Sequence, residues 1–185
     1  MEFLSGSPSN LPSGLENELA AYRYKVFVEK LGWELNTPVG YERDQFDKLD
    51  TVYVIARNSQ KEIIGCSRLL PTTEPYLLSE VFPELLNGNH PPCSPYIWEI
   101  SRFSALDLNS STLKKQRGSL SSVVAAGLLK ESISYLTQYH VKTIVTVSPL
   151  AVERLIKGLG YNVHRGGAPV LVDGHPVIAC IIDVR

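Results

Sequence analysis

The sequence predicts an α/β domain built on a mixed sheet, and three observations lead there. Its elements read in the order helix, hairpin, strand, helix, strand, helix, strands, an alternation that calls for helices layered on a sheet with parallel and antiparallel neighbours. Strand segments run apolar or alternate, whereas the segments between them repeat near the helical period. The chain has 185 residues, 44% of them hydrophobic, enough for one substantial core in a domain of the usual ~100–200 residues.

Residues 1–14 are rich in Ser, Pro and Gly and read as a flexible lead-in, which leaves residues 15–185 as a single domain. Leu15, Leu19, Tyr22, Val26 and Phe27 recur near the helical period, predicting a first helix over 15–31. Residues 34–50 are polar, contain Pro38 and Gly40 and carry clustered acids; they read as a long surface loop, a feature associated with function or mobility. TVYVIARN and EIIGCSRLL flank a short polar turn and read as a β-hairpin. Residues 75–86 read as a short helical or irregular stretch, and 87–95, with three prolines and two asparagines, as a connector. YIWEISRFSAL is the central strand. Residues 119–139 carry an apolar stripe through Leu120, Val124, Leu128 and Leu136 and form a long helix. A strand over 142–148 follows, then a helix over 149–159 opened by Pro149 and closed by Gly160, then two strands near 161–172 and 176–184.

The 18 basic and 19 acidic side chains leave a net charge of -1, so no global basic field draws this chain to nucleic acid. Cys66, Cys93 and Cys180 are odd in number and lack C-x-x-C spacing, which argues against a disulfide framework and a thiolate metal site. A reducing cytoplasm fits that usage. No apolar run approaches the ~20 residues of a membrane span, and Glu2 stands where a signal peptide would carry positive charge.

Candidate chemistry concentrates in a few segments. YERDQFDKLD spaces Asp44, Asp47 and Asp50 three residues apart ahead of a strand. A solvated turn explains that spacing, and a calcium loop would need more oxygen ligands and a turn glycine. IWEISRF places Glu99 and Arg102 inside an apolar strand, where unpaired buried charge is costly, so the two are paired, at a cleft, or functional. In a regular strand Glu99 and Ser101 face one way and Arg102 the other. Arg68 in IIGCSRLL likewise asks for a carboxylate, which Asp44 or Asp47 could supply. Arg23 and Phe27 stand four apart on one helix face, with Trp33 just beyond. Aromatic rings beside a carboxylate loop could hold a cation such as a sulfonium, although an aromatic stripe is also ordinary core. In KKQRGSLSSV, Gly118 and Ser119 precede the long helix, whose first N–H groups could receive phosphate. An acetyl-coenzyme A loop is richer in glycine.

Taken together and in this order, Arg23, Phe27 and Trp33, Asp44 and Asp47 in E-R-D-Q-F-D, Arg68 in C-S-R-L-L-P-T, Phe82 in S-E-V-F-P, and Glu99 with Arg102 in W-E-I-S-R-F resemble the hallmark set of the acyl-homoserine-lactone synthase family, the autoinducer synthases of bacterial quorum sensing. The resemblance spans residues 15–184. It implies a single-domain fold similar to the N-acetyltransferases, an α/β sandwich with a mixed, splayed central sheet flanked by helices. It also implies an acyltransferase that takes its acyl group from acyl-acyl carrier protein or acyl-coenzyme A and joins it to the amine of S-adenosylmethionine. Lactone closure then releases 5'-methylthioadenosine. S-adenosylmethionine is in that case a substrate, and no cofactor or metal is expected.

On the same resemblance Glu99 is the expected general base, acting through a water, and backbone N–H groups at Arg102 and Phe103 receive the oxyanion if the strand bulges there. Arg23, Phe27, Trp33, Asp44 and Asp47 are expected to shape the S-adenosylmethionine pocket, with Arg68 and Arg102 holding the acidic loop and Phe82 completing the hallmark set. The acyl chain is expected near Ser101, Phe103, Leu120, Val124 and TIVTVSP, where Thr146 either bonds a 3-oxo group or simply serves as a good strand former. An acidic carrier protein would meet Lys114, Lys115, Arg117, Lys142, Arg154 and Lys157. Two alternatives stand beside this reading. The sparse glycine loop counts against an acetyl-coenzyme A dependent N-acetyltransferase, and Glu99 counts against a non-catalytic binding module.

Overall fold

The computed structural model describes residues 1–109, 122–172 and 174–184. They sort into two compact units, Met1–Arg68 with Arg102–Ser132, and Leu69–Ser101 with Ile133–Arg185.

In the first unit, β1 (Glu2–Gly6) pairs antiparallel with β2 (Val52–Arg57), placing Glu2 opposite Arg57 and Gly6 opposite Tyr53. This corrects the reading of residues 1–14 as a flexible lead-in. A five-residue strand is too short to declare itself by alternation, and contacts remote in sequence fix it. Glu2 forms salt bridges of 3.0 Å to Arg57 and Lys61. Phe3 lies against Gly127, where an added Cβ would come within 2.6 Å of the ring.

Helix α1 (Leu15–Arg23) starts after Gly14, which takes a left-handed φ of 83°. Its buried face joins Leu15, Leu19 and Tyr22 to Tyr53, Ile55, Cys66 and Leu106. The helix expected over 15–31 changes type after Arg23, because Tyr24–Lys30 is a π-helix. Leu31 N–H donates to the Val26 carbonyl at 3.0 Å, and Trp33 N–H reaches the Phe27 carbonyl at 2.9 Å. The widened turn, a feature often found at functional sites, folds the chain back on Phe27. After it, residues 31–51 hold no helix or strand. β2 and β3 (Ile63–Pro71) form the expected hairpin, closed by Asn58 N–H to the Glu62 carbonyl at 3.0 Å.

In the second unit, α2 (Leu77–Glu80) and a 3-10 turn (Pro83–Leu86) occupy the stretch expected to be short and helical. β4 (Ile97–Ser104) begins here and ends in the first unit. It pairs parallel with β5 (Thr143–Pro149) only from Ile97↔Thr143 to Glu99↔Val145. β5 meanwhile pairs antiparallel with β8 (His175–Asp183) as far as Pro149↔Val177. β4 therefore parts from β5 at Glu99.

Between them run α3 (Ser122–Thr137), α4 (Leu150–Gly158), β6 (Val163–Arg165) and β7 (Val170–Val172). The single strand expected near 161–172 is two, since Gly166 and Gly167 intervene; a Cβ on Gly167 would meet the Leu85 carbonyl oxygen at 2.7 Å. The eight strands form one mixed sheet in the order β1-β2-β3-β4-β5-β8-β6, with β7 beside β8, the α/β architecture the element order predicts. Among the described residues no helix is long and apolar enough to cross a membrane.

Candidate active site

The acidic loop is no solvated turn. In the first unit three arginines from three elements, Arg23 on α1, Arg68 on β3 and Arg102 on β4, converge on three of its carboxylates. Arg23 clamps Asp47 through Nη1 at 2.7 Å and Nη2 at 3.0 Å, and its Nε–H goes to Glu42. Arg68 meets Asp44 at 2.5 Å and Asp47 at 3.1 Å. Arg102 donates from Nη2 to Asp44 at 2.8 Å and from Nε to Glu42 at 3.1 Å. Arg68 thus uses both candidate partners. Glu42, only 1% exposed, was not among the residues the sequence singled out. Asp50, which was, is exposed.

A buried ion network gives little net stability but is expensive to break, because each removal strands another charge. Burial alone would raise the Asp47 carboxyl; Arg23, Arg68 and the Tyr53 hydroxyl hold it well below the usual carboxylate range. Burial would likewise lower Arg23, and Asp47 with Glu42 raise it instead. Cys66, beside this cluster with its Sγ 3.3 Å from the Arg102 carbonyl, is pushed up by burial to about 12 and carries no reactive thiolate.

Phe27 and Trp33 come together as expected, but they stack on one another with centroids 4.8 Å apart. No slot between them is open to a sulfonium. The cation on these rings is the Arg102 guanidinium, 5.7 Å from each centroid. Phe27 is buried, while Trp33 remains 38% exposed. Arg102 also has a φ of 50°, left-handed for a residue with a side chain and costing of order 1–3 kcal/mol. The regular extended geometry of β4 is interrupted at that residue.

In the second unit Glu99 is fully buried. Its Oε2 accepts the Leu77 N–H at 3.0 Å and its Oε1 the Leu78 N–H at 2.8 Å. These are first-turn donors of α2, which have no partner inside the helix. They fix the carboxylate where β4 leaves β5. Ser101 is buried further along the strand and Phe103 is half-buried. Phe82, half-buried, precedes the 3-10 turn. Thr146 is buried on β5 with its Oγ1 2.9 Å from the Ser148 hydroxyl. Of the basic residues, Lys142 lies over the Tyr96 ring, Arg154 is exposed and Lys157 bonds Glu153 at 2.9 Å. Lys114, Lys115, Arg117, Gly118, Ser119 and Leu120 lie outside the described residues.

A family model described as "Autoinducer synthase" matches residues 11–185. The acyl-homoserine-lactone synthase of Acinetobacter nosocomialis is 51% identical over 185 residues, all of both chains. The crystal structure of TofI with an inhibitor and MTA superposes with a TM-score of 0.85 at 39% identity, covering 100% of this chain and 92% of that one. A CoA-dependent acyl-homoserine lactone synthase, BjaI, with SAM and isopentyl-CoA, gives 0.82 at 27% identity, covering 99% and 82%. An N-acetyltransferase structure from Lactobacillus plantarum, at 0.62 and 18% identity over 100% and 98%, shares the fold alone.

Proposed function

Because the chain belongs to the autoinducer synthase family and is an acyl-homoserine-lactone synthase, we propose that it acylates the amine of S-adenosylmethionine directly from an acyl thioester and then closes the lactone, with Glu99 as general base. The observation that carries this reading is the buried Glu99 carboxylate, held by two backbone N–H groups at the point where β4 and β5 part. An ammonium has no lone pair, so the amine must lose a proton before it attacks; a positioned base contributes typically ~10²–10⁴-fold.

Glu99 takes that proton through a water. The amine nitrogen attacks the thioester carbonyl, and the oxyanion is received by backbone N–H groups at Arg102 and Phe103, beside the left-handed φ of Arg102. Collapse breaks the C–S bond, the carrier leaves as a thiol with the second proton of the attacking nitrogen, and the proton held by Glu99 passes to solvent. A carboxylate oxygen of the methionyl group then attacks its own γ-carbon, the sulfonium C–S bond breaks, and neutral 5'-methylthioadenosine departs. The protein need only hold the substrate folded back on itself.

Arg23, Phe27, Trp33, Asp44 and Asp47 are assigned to the S-adenosylmethionine pocket. The exposed Trp33 is the ring free to move onto substrate, while Arg68 and Arg102 hold the loop that carries Asp44. Phe82, Ser101 and Thr146 are assigned to substrate contact on the acyl side. The donor is acyl-acyl carrier protein or acyl-coenzyme A, and Lys142 and Arg154 are exposed cations suited to an acidic carrier, raising its on-rate.

The test supplies S-adenosylmethionine with either donor, measures 5'-methylthioadenosine and thiol, and identifies the lipophilic product by mass spectrometry. Equal release of both, with an acylated lactone, is expected. Thiol release that continues unchanged without S-adenosylmethionine would mean a thioesterase.

A further inference from the structure

The Leu77 and Leu78 N–H groups that hold Glu99 can fix it only if their own turn is fixed. α2 is four residues long, too short to be stable by its own hydrogen bonds. Three side chains of the second unit hold it. Ser79 Oγ accepts the Tyr76 N–H at 3.3 Å and donates to the Tyr76 carbonyl at 2.9 Å, so the third residue of the helix reaches back to the residue before it. Tyr76, only 2% exposed, donates its phenol O–H to the Pro92 carbonyl at 2.6 Å. Thr72 in turn fixes the connector that bears this carbonyl: its N–H reaches the Ile97 carbonyl at 3.1 Å, and its Oγ1 accepts the Ser94 N–H at 3.1 Å.

These bonds close a ring through segments remote from one another. Glu99 is bound to Leu77 and Leu78, their turn to Tyr76, Tyr76 to Pro92, and the connector through Thr72 to Ile97, the first residue of β4. Pro91, Pro92 and Pro95 stand in that connector, and their locked φ makes the Pro92 carbonyl a stiff acceptor. Burial and the charge of Glu99 push the Tyr76 phenol above its ordinary value, so its O–H stays a donor. Phenylalanine would fill the same space as Tyr76, which lets the hydroxyl be removed without opening a cavity.

We propose that Tyr76 and Ser79 are positioning residues for the reaction, acting through the turn at Leu77 and Leu78 to hold the Glu99 carboxylate in line with the substrate amine. This role rests on the reading of Glu99 as general base. Neither Tyr76 nor Ser79 itself moves a proton.

Steady-state release of 5'-methylthioadenosine by the full chain, measured well below each variant's unfolding transition, tests the role. Tyr76→Phe and Ser79→Ala should each lower kcat by roughly ten- to a hundredfold, the scale of a misplacement of up to ~1 Å. KM for S-adenosylmethionine should stay within about twofold of the parent value. Ser79→Thr keeps the hydroxyl and should return kcat to within about threefold of the parent. Added to Glu99→Gln, Tyr76→Phe should cause no further loss, because no base is left to misplace. Parental kcat in either Tyr76→Phe or Ser79→Ala, KM rising in step with the lost turnover, equal losses in Ser79→Ala and Ser79→Thr, or an undiminished effect of Tyr76→Phe beside Glu99→Gln would each overturn the assignment. Glu99→Gln alone keeps the two readings apart. If it is slow while Tyr76→Phe and Ser79→Ala turn over normally, only the positioning role falls; if it is near normal, the base falls and the positioning role with it.

Discussion

Replacing Glu99 by Gln keeps the length of the side chain and removes its basicity, and the structure fixes what else changes. Both carboxylate oxygens accept backbone N–H groups, from Leu77 at 3.0 Å and Leu78 at 2.8 Å. Glutamine has a single acceptor oxygen, so its NH₂ must confront one of those donors. In a fully buried position the lost bond costs about 1–3 kcal/mol. For a chain of 185 residues, each kcal/mol lowers the melting temperature by roughly 2–4 °C. The amide alone should therefore lower it by roughly 2–12 °C. Loss of the base is a separate effect, a fall in turnover of ~10²–10⁴-fold. Assaying 5'-methylthioadenosine release well below the variant's transition separates the two, with S-adenosylmethionine affinity measured beside it by calorimetry. Affinity should change little, since a general base acts on the chemical step. Folded Glu99→Gln protein that turns over within a few-fold of the parent would refute the base assignment. Affinity falling in step with turnover would make Glu99 a substrate-positioning group instead.

Trp33, 38% exposed and stacked on Phe27, should cost roughly 1–2 kcal/mol on replacement by Ala, below the ~3–5 kcal/mol of a fully buried aromatic. Activity should fall by at least about tenfold, and a large drop in melting temperature with normal specific activity would return Trp33 to the core. Glu42→Gln leaves Arg23 and Arg102 short of a buried charge and should destabilise by about 3–5 kcal/mol. Asp50→Asn, exposed on the same loop, should stay within about 0.5 kcal/mol; similar denaturant midpoints for the two would mean that the ion network does not hold the loop. Asp47 titrates below its unfolded value of ~3.9. Its contribution is therefore complete above about pH 4 and is lost as pH falls through the lower folded value. The acid limb of a melting-temperature profile should be steeper in the parent than in Asp47→Asn, and parallel limbs would contradict the lowered carboxyl.

Residues that break a local pattern are readable from sequence, because the break itself is the signal. Glu99 and Arg102 in an apolar strand and Arg68 in another declare a buried polar site, and the structure finds all three buried. Partnership is harder, since it depends on where remote elements meet. The even spacing of Asp44, Asp47 and Asp50 points to one set of acids, whereas burial selects Glu42, Asp44 and Asp47 and leaves Arg43 and Asp50 outside. An extended chain puts alternate residues on opposite sides, and E-R-D at 42–44 carried that signal. The π-helix is hidden for a similar reason: apolar residues three and four apart suit an α-helix as well, and only the contact of Trp33 with Phe27 distinguishes the wider turn. β1 is hidden because its support, Arg57 and Gly127, lies far along the chain.

The acidic loop carries the point furthest. It has no ladder or helix of its own, and its internal bonds, Arg43 N–H to Thr37, Asp44 N–H to Asp47 and Phe46 N–H to Asp44, shape only local turns. Three arginines held by α1, β3 and β4 fix where those turns sit. The placement of its acids is thus a property of the packed elements more than of its own sequence. This is why the acids could be recognised as candidates while their arrangement could not. It also follows that truncating Arg68, which is fully buried, should disturb the loop around Asp44 before it disturbs the strand that bears it.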